Sequence, residues 1–232
     1  MLNKVKSLGH DIVSLVFMDL CIGCYKADPV GNQDFCLPCL SLLPYVQNQE
    51  DVNAAVIGKG ALPQEIKHIH SLLYYTKSGI MKDILYNLKY GNRPAIGVKL
   101  GEQLGTKLVA SQHKDSILVP VPLHPKRLKK RGYNQALKIA QGIHKTTQIP
   151  IAEGILKRVQ NNKSQTKMGV IERQGDVNLR FALDNKRPRQ KAPKAIIVDD
   201  VITTGSTIHA CYHWLTLAGY QEIYVATLAI TI

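Results

Sequence analysis

The twelve residues from Ile196 to Thr207, IIVDDVITTGST, constrain the fold of this 232-residue chain more than any other stretch. A short apolar run of the kind found in buried strands ends at two adjacent carboxylates, Asp199 and Asp200. A turn rich in hydroxyl groups and glycine follows, and an apolar helical pattern begins directly after it. A strand that passes through such a turn into a helix is typical of layered α/β proteins.

The rest of the chain repeats this alternation of strands and helices. Apolar runs predict strands over residues 68–75, 116–122, 195–198 and 222–230. Apolar residues at helical spacing predict helices over residues 80–91, 96–108, 136–143 and 206–218. The polar, mixed composition of residues 157–175 predicts a mobile loop. We therefore expect an α/β fold with a mostly parallel sheet flanked by helices.

The turn after the two carboxylates offers successive backbone N–H groups, hydroxyl groups and a helix amino terminus, which together can hold an anion. Its residues are Thr203, Thr204, Gly205, Ser206 and Thr207. In open parallel sheets, ligands bind at the carboxyl ends of the strands, where this turn falls. Because the carboxylates would repel the anion, we expect them to accept hydrogen bonds from ribose hydroxyls. The stretch thus predicts a ribose 5-phosphate site; a plain strand–turn–helix with a capping hydroxyl is the simpler alternative.

An apolar strand that ends in Asp-Asp also occurs in P-loop NTPases, where the carboxylates serve a bound Mg²⁺ ion. That interpretation requires a phosphate-binding loop of the form G-x-x-x-x-G-K-[ST] upstream of the strand. The 232 residues contain no such loop. The sequence therefore argues against an ATPase built around Asp199 and Asp200.

Four of the five cysteines form two C-x-x-C pairs, and they are Cys21, Cys24, Cys36 and Cys39. Two such pairs complete a tetrahedral shell of four sulfur ligands with no open position, which is typical of structural zinc. Two disulfides or a thioredoxin-like redox pair are the alternatives. A disulfide fits poorly in a cytosolic chain, and a redox pair needs only one C-x-x-C. Cys211, within an apolar helical pattern, is expected in the core.

The charge is strongly unbalanced, with 30 Lys and Arg residues against 17 Asp and Glu residues and a formal net charge of +13. Such an excess favours polyanionic partners, among them nucleotides, phosphorylated sugars and nucleic acid. The KRPRQKAPK run adds to it, but aromatic residues make up only 6% of the chain. Six tyrosines could stack bases, without forming a clear platform: Tyr45, Tyr74, Tyr75, Tyr86, Tyr90 and Tyr133.

The amino-terminal segment has two lysines ahead of an apolar stretch, as a weak signal peptide would, but His10 and Asp11 interrupt the apolar run. Its apolar residues lie at helical spacing, and they are Val5, Leu8, Ile12, Leu15 and Val16. We therefore expect an amphipathic helix that packs on the body of the protein. No stretch reaches the roughly 18 uninterrupted apolar residues of a membrane span, so we expect a cytoplasmic protein.

Three motifs in this order resemble one known family. The IIVDDVITTGST stretch resembles the phosphoribosyl pyrophosphate (PRPP) motif of type I phosphoribosyltransferases. Together with VPVPLHPKRLKKRGYNQA and the paired C-x-x-C motifs, it is similar to the ComF family, competence-associated proteins related to the gluconate-utilisation protein GntX. The resemblance covers nearly the whole chain and implies a type I phosphoribosyltransferase-like core.

The resemblance also implies roles for individual residues. Asp199 and Asp200 would accept hydrogen bonds from the ribose hydroxyls, and residues 203–207 would bind the 5-phosphate. The residues that correspond to the pyrophosphate loop and its surroundings are Pro122, Arg127, Arg131, Gly132, Asn134, Gln135 and Lys89. Guanidinium groups suit this task independently, because they bind phosphate oxygens in pairs. Arg158, Gln165, Arg173 and Asn178 resemble family positions in the mobile-loop region.

Two classes of function follow from the resemblance. The first is a protein of natural transformation that binds PRPP, single-stranded DNA and a ComFA-like competence helicase. The second is a PRPP-dependent glycosyltransferase with an unidentified acceptor, or a regulator that senses PRPP. In either case Mg²⁺ would accompany PRPP and zinc would be structural. The sequence shows no clear general base, since His124 lies near the proposed loop but is isolated.

The predicted organisation has three parts. Residues 1–45 would form an amino-terminal helix and a four-cysteine zinc module. Residues 46–67, which lack strong periodicity, would form a linker, and residues 68–232 would form the phosphoribosyltransferase-like domain.

Overall fold

The computed structural model describes residues 21–25, 35–58, 60–76, 78–108, 113–159, 181–184 and 193–231. The expected amphipathic helix near the amino terminus therefore lies outside the described residues. The same holds for Gln165, Arg173, Asn178 and most of the KRPRQKAPK run. Among the residues that are described, no helix is both long enough and apolar enough to cross a membrane.

The central sheet is parallel throughout and has the strand order β1–β6–β5–β2. These strands are β1 (Ile69–Tyr74), β2 (Ser116–Pro120), β5 (Lys194–Ile202) and β6 (Glu222–Ile230). Two further strands, β3 (Leu156–Arg158) and β4 (Phe181–Leu183), pair antiparallel with each other. Strands β1, β2 and β6 are buried along almost their whole length, and β5 is buried over its apolar residues Ala195 to Val198, as expected for a parallel sheet covered on both faces. The prediction of an α/β fold with a parallel sheet is confirmed.

Seven helices are assigned among the described residues. They are α1 (Leu37–Leu42), α2 (Gln49–Gly58), α3 (Ile80–Tyr90), α4 (Pro94–Gly105), α5 (Pro125–Arg131), α6 (Gln135–Thr147) and α7 (Ser206–Leu217). Helices α3, α4, α6 and α7 match the predicted periodic segments to within a few residues. Each long helix turns its apolar stripe to the sheet, as Met81, Ile84, Leu85 and Leu88 do in α3.

The sheet separates two hydrophobic cores. Ile196 and Val198 of β5 face the core that contains α1, α3, α4 and α6. Ala195 and Ile197 face the other core, which contains α2, α7 and the β3–β4 pair. This alternation is the two-residue period of a strand, and it decides which helices each β5 side chain can meet.

Helices α4 and α6 approach each other closely because glycines line their contact. A Cβ atom on Gly101 would overlap the carbonyl oxygen of Ile139, and one on Gly142 would overlap the carbonyl oxygen of Val98. Side chains at these positions would therefore force the backbones apart. Since α6 begins beside the carboxyl end of β2, this packing also fixes the position of the loop that precedes α6.

Three segments differ in detail from their sequence-based predictions. Residues 46–67 contain α2, whose Val52 and Val56 are buried, and the segment packs on the sheet rather than extending away from it. Its two buried valines are too few for a clear apolar period. The basic segment after β2, expected to form the pyrophosphate loop, folds as helix α5, which buries none of its residues. Strand β5 continues to Ile202, past the predicted end at residue 198.

Candidate functional site

The candidate site lies at the carboxyl end of β5, where this strand extends beyond its neighbour β2. Pairing between the two strands ends at Pro120 and Val198, whereas β5 continues to Ile202 alongside β6. After the strand β2 the chain turns away, and the Val121 N–H donates its last hydrogen bond to the Val198 carbonyl. On the side where β2 ends, no strand among the described residues pairs with this extension of β5, which carries Asp199 and Asp200.

Lys89, at the end of α3, forms an ion pair with Asp200. The Nζ atom lies 3.0 Å from the Oδ2 atom of Asp200, and the aspartate side chain is only 13% exposed. The two residues are far apart in sequence and meet because α3 packs on the face of the sheet to which Asp200 points. The structure thus brings Lys89 to the carboxylate that the sequence assigns to the site.

Asp199 is placed differently, near Arg158 of β3 and Cys211 of α7 on the opposite face of the sheet. Its Oδ1 atom accepts a hydrogen bond of 2.9 Å from the Asp200 N–H. Burial, followed by repulsion from the Asp200 carboxylate, raises the pKa of Asp199 to about 7. The two adjacent aspartates therefore differ in their surroundings. Asp200 lies within contact distance of the Lys89 ammonium group, whereas burial and the Asp200 carboxylate shift the pKa of Asp199 to near neutral pH.

The turn between β5 and α7 requires a glycine at position 205. Gly205 has a φ of 73°, in the left-handed region, and a Cβ atom there would overlap the carbonyl oxygen of Ala61. The chain after α2 therefore lies directly behind the turn. Gly205 also occupies the cap position of α7. Because glycine has no side chain, no side-chain hydrogen bond occupies the first N–H groups of the helix.

Hydroxyl groups surround the amino terminus of α7. Thr203 and Thr204 are exposed, and Ser206 and Thr207 are partly exposed. The Thr204 hydroxyl donates to the Ser206 hydroxyl over 3.2 Å. These hydroxyl groups and the uncapped N–H groups can donate hydrogen bonds to an anion. The helix dipole also favours negative charge at this end of α7.

Directly after β2, α5 presents the basic residues of the predicted pyrophosphate loop. His124 caps this helix, because its Nδ1 atom accepts a hydrogen bond of 3.2 Å from the Lys126 N–H. This contact gives His124 a structural role and explains why a single loop histidine occurs there. Gly132 ends the helix with a φ of 77°, which an L side chain would disfavour.

Asn134 and Gln135 hold this loop in shape. The Asn134 Oδ1 atom accepts from the Ala136 N–H at the start of α6, and its Nδ2 atom donates to the Val121 carbonyl over 3.0 Å. Gln135 is buried, and its Oε1 atom accepts a hydrogen bond of 3.0 Å from Arg131. The structure therefore places Gln135 behind Arg131, where it orients the guanidinium group. Arg127 is exposed on α5, and Pro122 is partly buried.

The four cysteines of the paired C-x-x-C motifs converge, and their sulfur atoms all lie within 4.8 Å of one another. The Sγ atoms of Cys24 and Cys36 are 3.8 Å apart. Tetrahedral zinc with Zn–S bonds of about 2.3 Å separates its sulfurs by about 3.8 Å, whereas a disulfide bond measures about 2.05 Å. The cluster can therefore hold a structural metal such as zinc.

Local contacts favour the thiolate form of one of the four cysteines, Cys21. Although burial opposes ionisation, backbone hydrogen bonds lower the pKa of Cys21 to about 6. Two of them come from the N–H groups of Cys36 and Gly23, each over 3.3 Å. The cysteines belong to the same core as α3, since a Cβ atom on Gly23 would lie 2.7 Å from the Ile80 side chain. The cluster thus joins the amino-terminal segment to the sheet-bearing body.

A buried histidine pair, which the sequence did not predict, lies at the opposite, amino-terminal end of the sheet. His70 and His113 are almost fully buried, and their Nε2 atoms are 3.2 Å apart. The Nδ1 atoms of both rings are buried without a hydrogen-bond partner. The only signal in the sequence was the short HIH segment, whose His70 falls within an otherwise apolar strand. Cys211, predicted to be a core residue, is buried in α7.

Comparison with known proteins identifies relatives. No family model matches the chain. It is similar to Competence protein F of Haemophilus influenzae, with 35% identity over 112 residues, which cover 48% of this chain and 49% of that protein. It is also similar to Competence protein ComFC of Bacillus subtilis, with 29% identity over 136 residues, which cover 58% of this chain and 53% of that protein.

Both relatives are competence proteins, and the similarity to them supports the resemblance to the ComF family drawn from the three motifs. The chain spans about half the length of the curated relatives it matches. The clustered cysteines show that the two C-x-x-C pairs come together in one place.

Proposed function

We propose that this ComF-like chain acts in DNA uptake during natural transformation and binds PRPP at the carboxyl end of β5. The names of both relatives, each a competence protein, support the first part. The second part rests on one arrangement: Asp200 is paired with Lys89 beyond the end of β2, and the glycine turn around Gly205 follows the same strand. A carboxylate, a cation and an uncapped helix terminus match the hydroxyls, diphosphate and 5-phosphate of one ligand.

In this proposal each part of PRPP meets a different group of side chains. The 5-phosphate binds the first N–H groups of α7 and the hydroxyls of residues 203–207. The ribose hydroxyls donate to Asp199 and Asp200. The diphosphate lies toward Lys89 and the exposed basic residues of α5, where Arg131 is already oriented by Gln135. Arg127 and Arg131 neutralise several of the negative charges on the diphosphate.

Two metal ions complete the proposal. Zinc is held by Cys21, Cys24, Cys36 and Cys39, whose sulfur spacing fits a closed tetrahedral shell. Mg²⁺ accompanies PRPP, bound mainly by phosphate and ribose oxygens, and neutralises the diphosphate.

The partners follow from charge and family. A formal net charge of +13 favours a polyanion, and for a protein of DNA uptake we propose single-stranded DNA in the cytoplasm, handled beside a ComFA-like helicase. Neutralisation of several phosphates would make this binding fall steeply as salt concentration rises. A flat response to salt would argue against a basic binding surface.

Transfer of the phosphoribosyl group to an acceptor is the second candidate function, and the surroundings of Asp199 favour it. Burial and the adjacent Asp200 carboxylate raise the pKa of Asp199 to about 7, which suits a general base at neutral pH. Diphosphate would leave the anomeric carbon while an acceptor nucleophile attacks and gives up its proton. Incubation with PRPP and Mg²⁺, with and without cell extract or single-stranded DNA, distinguishes consumption from sensing by the diphosphate released.

Calorimetric titration with PRPP and Mg²⁺ tests the binding site. The variant carrying Asp199→Asn and Asp200→Asn keeps the side-chain volumes but removes both negative acceptors, so we expect its PRPP affinity to fall at least tenfold. Glu222→Gln is the matched control, because it removes a carboxylate paired with Lys194 at the other end of the sheet. Undiminished affinity in the double variant, with normal folding by circular dichroism, would overturn the site.

A further inference from the structure

Helix α3 carries two exposed tyrosines on the face that points away from the core. Tyr86 and Tyr90 are 60% and 53% exposed, unusually high values for rings of this size. Their ring centroids are 5.2 Å apart with an interplanar angle of 47°. The four-residue spacing on a helix brings the two rings side by side, while the apolar residues of α3 hold the opposite face against the core. The pair is thus a firmly supported aromatic surface.

Cations from α5 lie directly against this surface. The Arg131 guanidinium group lies 5.1 Å from the centroid of the Tyr90 ring and donates a 3.3 Å hydrogen bond to its hydroxyl. The Lys130 ammonium group lies 6.0 Å from the same centroid. That hydrogen bond from Arg131, together with the charge of its guanidinium group, lowers the pKa of Tyr90. The two tyrosine rings and the two cations therefore lie side by side on one surface.

Single-stranded nucleic acid is the ligand whose chemistry matches both parts. Its bases stack on aromatic rings without regard to sequence, and its phosphates are neutralised by the basic groups beside them. An acidic peptide would satisfy the cations but would leave the two rings without a partner. The net charge of +13 supports a nucleic-acid ligand over an apolar one.

We propose that Tyr86 and Tyr90 form a base-stacking platform for single-stranded DNA, with Lys130 binding the adjacent phosphates. This proposal rests on the proposed function, and it places the DNA at a defined surface. The platform borders the PRPP site, because Tyr90 follows Lys89, whose ammonium group contacts Asp200. DNA on the platform would therefore lie beside the bound PRPP, with Arg131 between the two ligands.

Fluorescence anisotropy with a labelled oligothymidylate and the full chain tests the platform. We expect Tyr86→Ala and Tyr90→Ala each to weaken binding about tenfold, the order of effect that loss of one stacked base produces. Tyr86→Phe and Tyr90→Phe retain the aromatic face and should bind nearly as the wild type does. Leu217→Ala, which removes an exposed apolar side chain on α7, is the matched control and should leave the affinity unchanged.

An oligonucleotide of the same length with abasic sites separates stacking from charge. The wild type should bind it about as weakly as the Tyr→Ala variants bind oligothymidylate. Equal affinity of the wild type for both oligonucleotides, or Tyr→Ala variants that bind like the wild type, would overturn the platform. Displacement of the oligonucleotide by polyglutamate at equal charge concentration would also overturn it, because it would show that charge alone suffices.

Calorimetry with PRPP keeps the two proposals distinguishable. Tyr86→Ala should bind PRPP as the wild type does, since Tyr86 contacts no residue assigned to the PRPP site among the contacts described. If the wild type binds no oligonucleotide at all, the DNA part of the proposed function fails, and the platform fails with it. If the wild type binds oligonucleotide but the tyrosine variants are unaffected, the platform alone is wrong.

Discussion

At the scale of the residue, His70 shows how burial shifts a pKa and ties stability to pH. Burial, and then the nearby His68 and His113, lowers the pKa of His70 to about 3. The pKa of His113 is also lowered, chiefly by burial. In the unfolded chain a histidine binds its proton near pH 6.5. Between pH 6.5 and pH 3 the unfolded state therefore binds more protons, so stability falls as the pH falls.

Acidification from pH 7 to pH 5 should lower the free energy of unfolding by about 2 kcal/mol through the titration of His70 alone. The measurement is urea unfolding at both pH values, compared with the variant His70→Gln. The variant should lose less stability on acidification, because one buried titrating group is gone. His213→Gln, which changes an exposed histidine, should keep the wild-type difference. A His70→Gln difference equal to that of the wild type would contradict this account.

At the same scale, the sequence predicted local conformation better than contacts. It placed Gly205 in the turn before a helix, because that preference is local, but it ended the strand at residue 198, before Asp199 and Asp200. It did not predict that Asp200 pairs with Lys89 while Asp199 lies near Arg158. The partners depend on which helix covers each face of the sheet, and that is decided by packing between distant segments.

At the scale of the element, the contact between α4 and α6 depends on glycines that the sequence does not explain. Gly101 and Gly142 lie within helices, where glycine costs about 1 kcal/mol relative to alanine. Each is required because a Cβ atom would meet the backbone of the facing helix. Propensity therefore opposes these residues and tertiary packing selects them. The close approach in turn sets the start of α6, from which Asn134 reaches the Val121 carbonyl.

Gly142→Ala should lower the free energy of unfolding by about 3 kcal/mol, because the added methyl group meets backbone atoms that cannot rotate away. Chemical denaturation gives the value. Gly58→Ala is the matched control, since a Cβ atom at this helical position has nothing within 4 Å. It should be neutral or slightly stabilising. Similar losses in the two variants would show that the α4–α6 distance is not limited by Gly142.

At the scale of the whole molecule, the cysteine cluster contributes to the main core. Cys21, Cys36 and Cys39 are buried in the same hydrophobic core as the apolar face of α3. The cluster also lies close to the start of that helix at Ile80. Four thiolates without a metal would repel one another in this buried position. Loss of the metal should therefore destabilise the body of the protein and not only the amino-terminal segment.

Elemental analysis of the purified chain should find one zinc ion per molecule. Removal of the metal with a chelator should lower the midpoint of thermal unfolding, and Cys36→Ser should reproduce both the metal loss and the lower midpoint. Cys211→Ala is the control, because this buried cysteine lies outside the cluster and the variant should keep its zinc. A metal-free protein with an unchanged midpoint would contradict a structural metal site.

The sequence by itself determined the α/β class, the main helices and strands, the glycine turn and the pairing of the C-x-x-C motifs. Each of these depends on periodicity or spacing over a few residues, which a chain shows before it folds. Only the tertiary structure decided the Asp200–Lys89 pair, the burial of Gln135 behind Arg131, the histidine pair and the meeting of Tyr90 with Arg131. These contacts join residues from separate elements, and helix packing on the two faces of the sheet selects which of them meet.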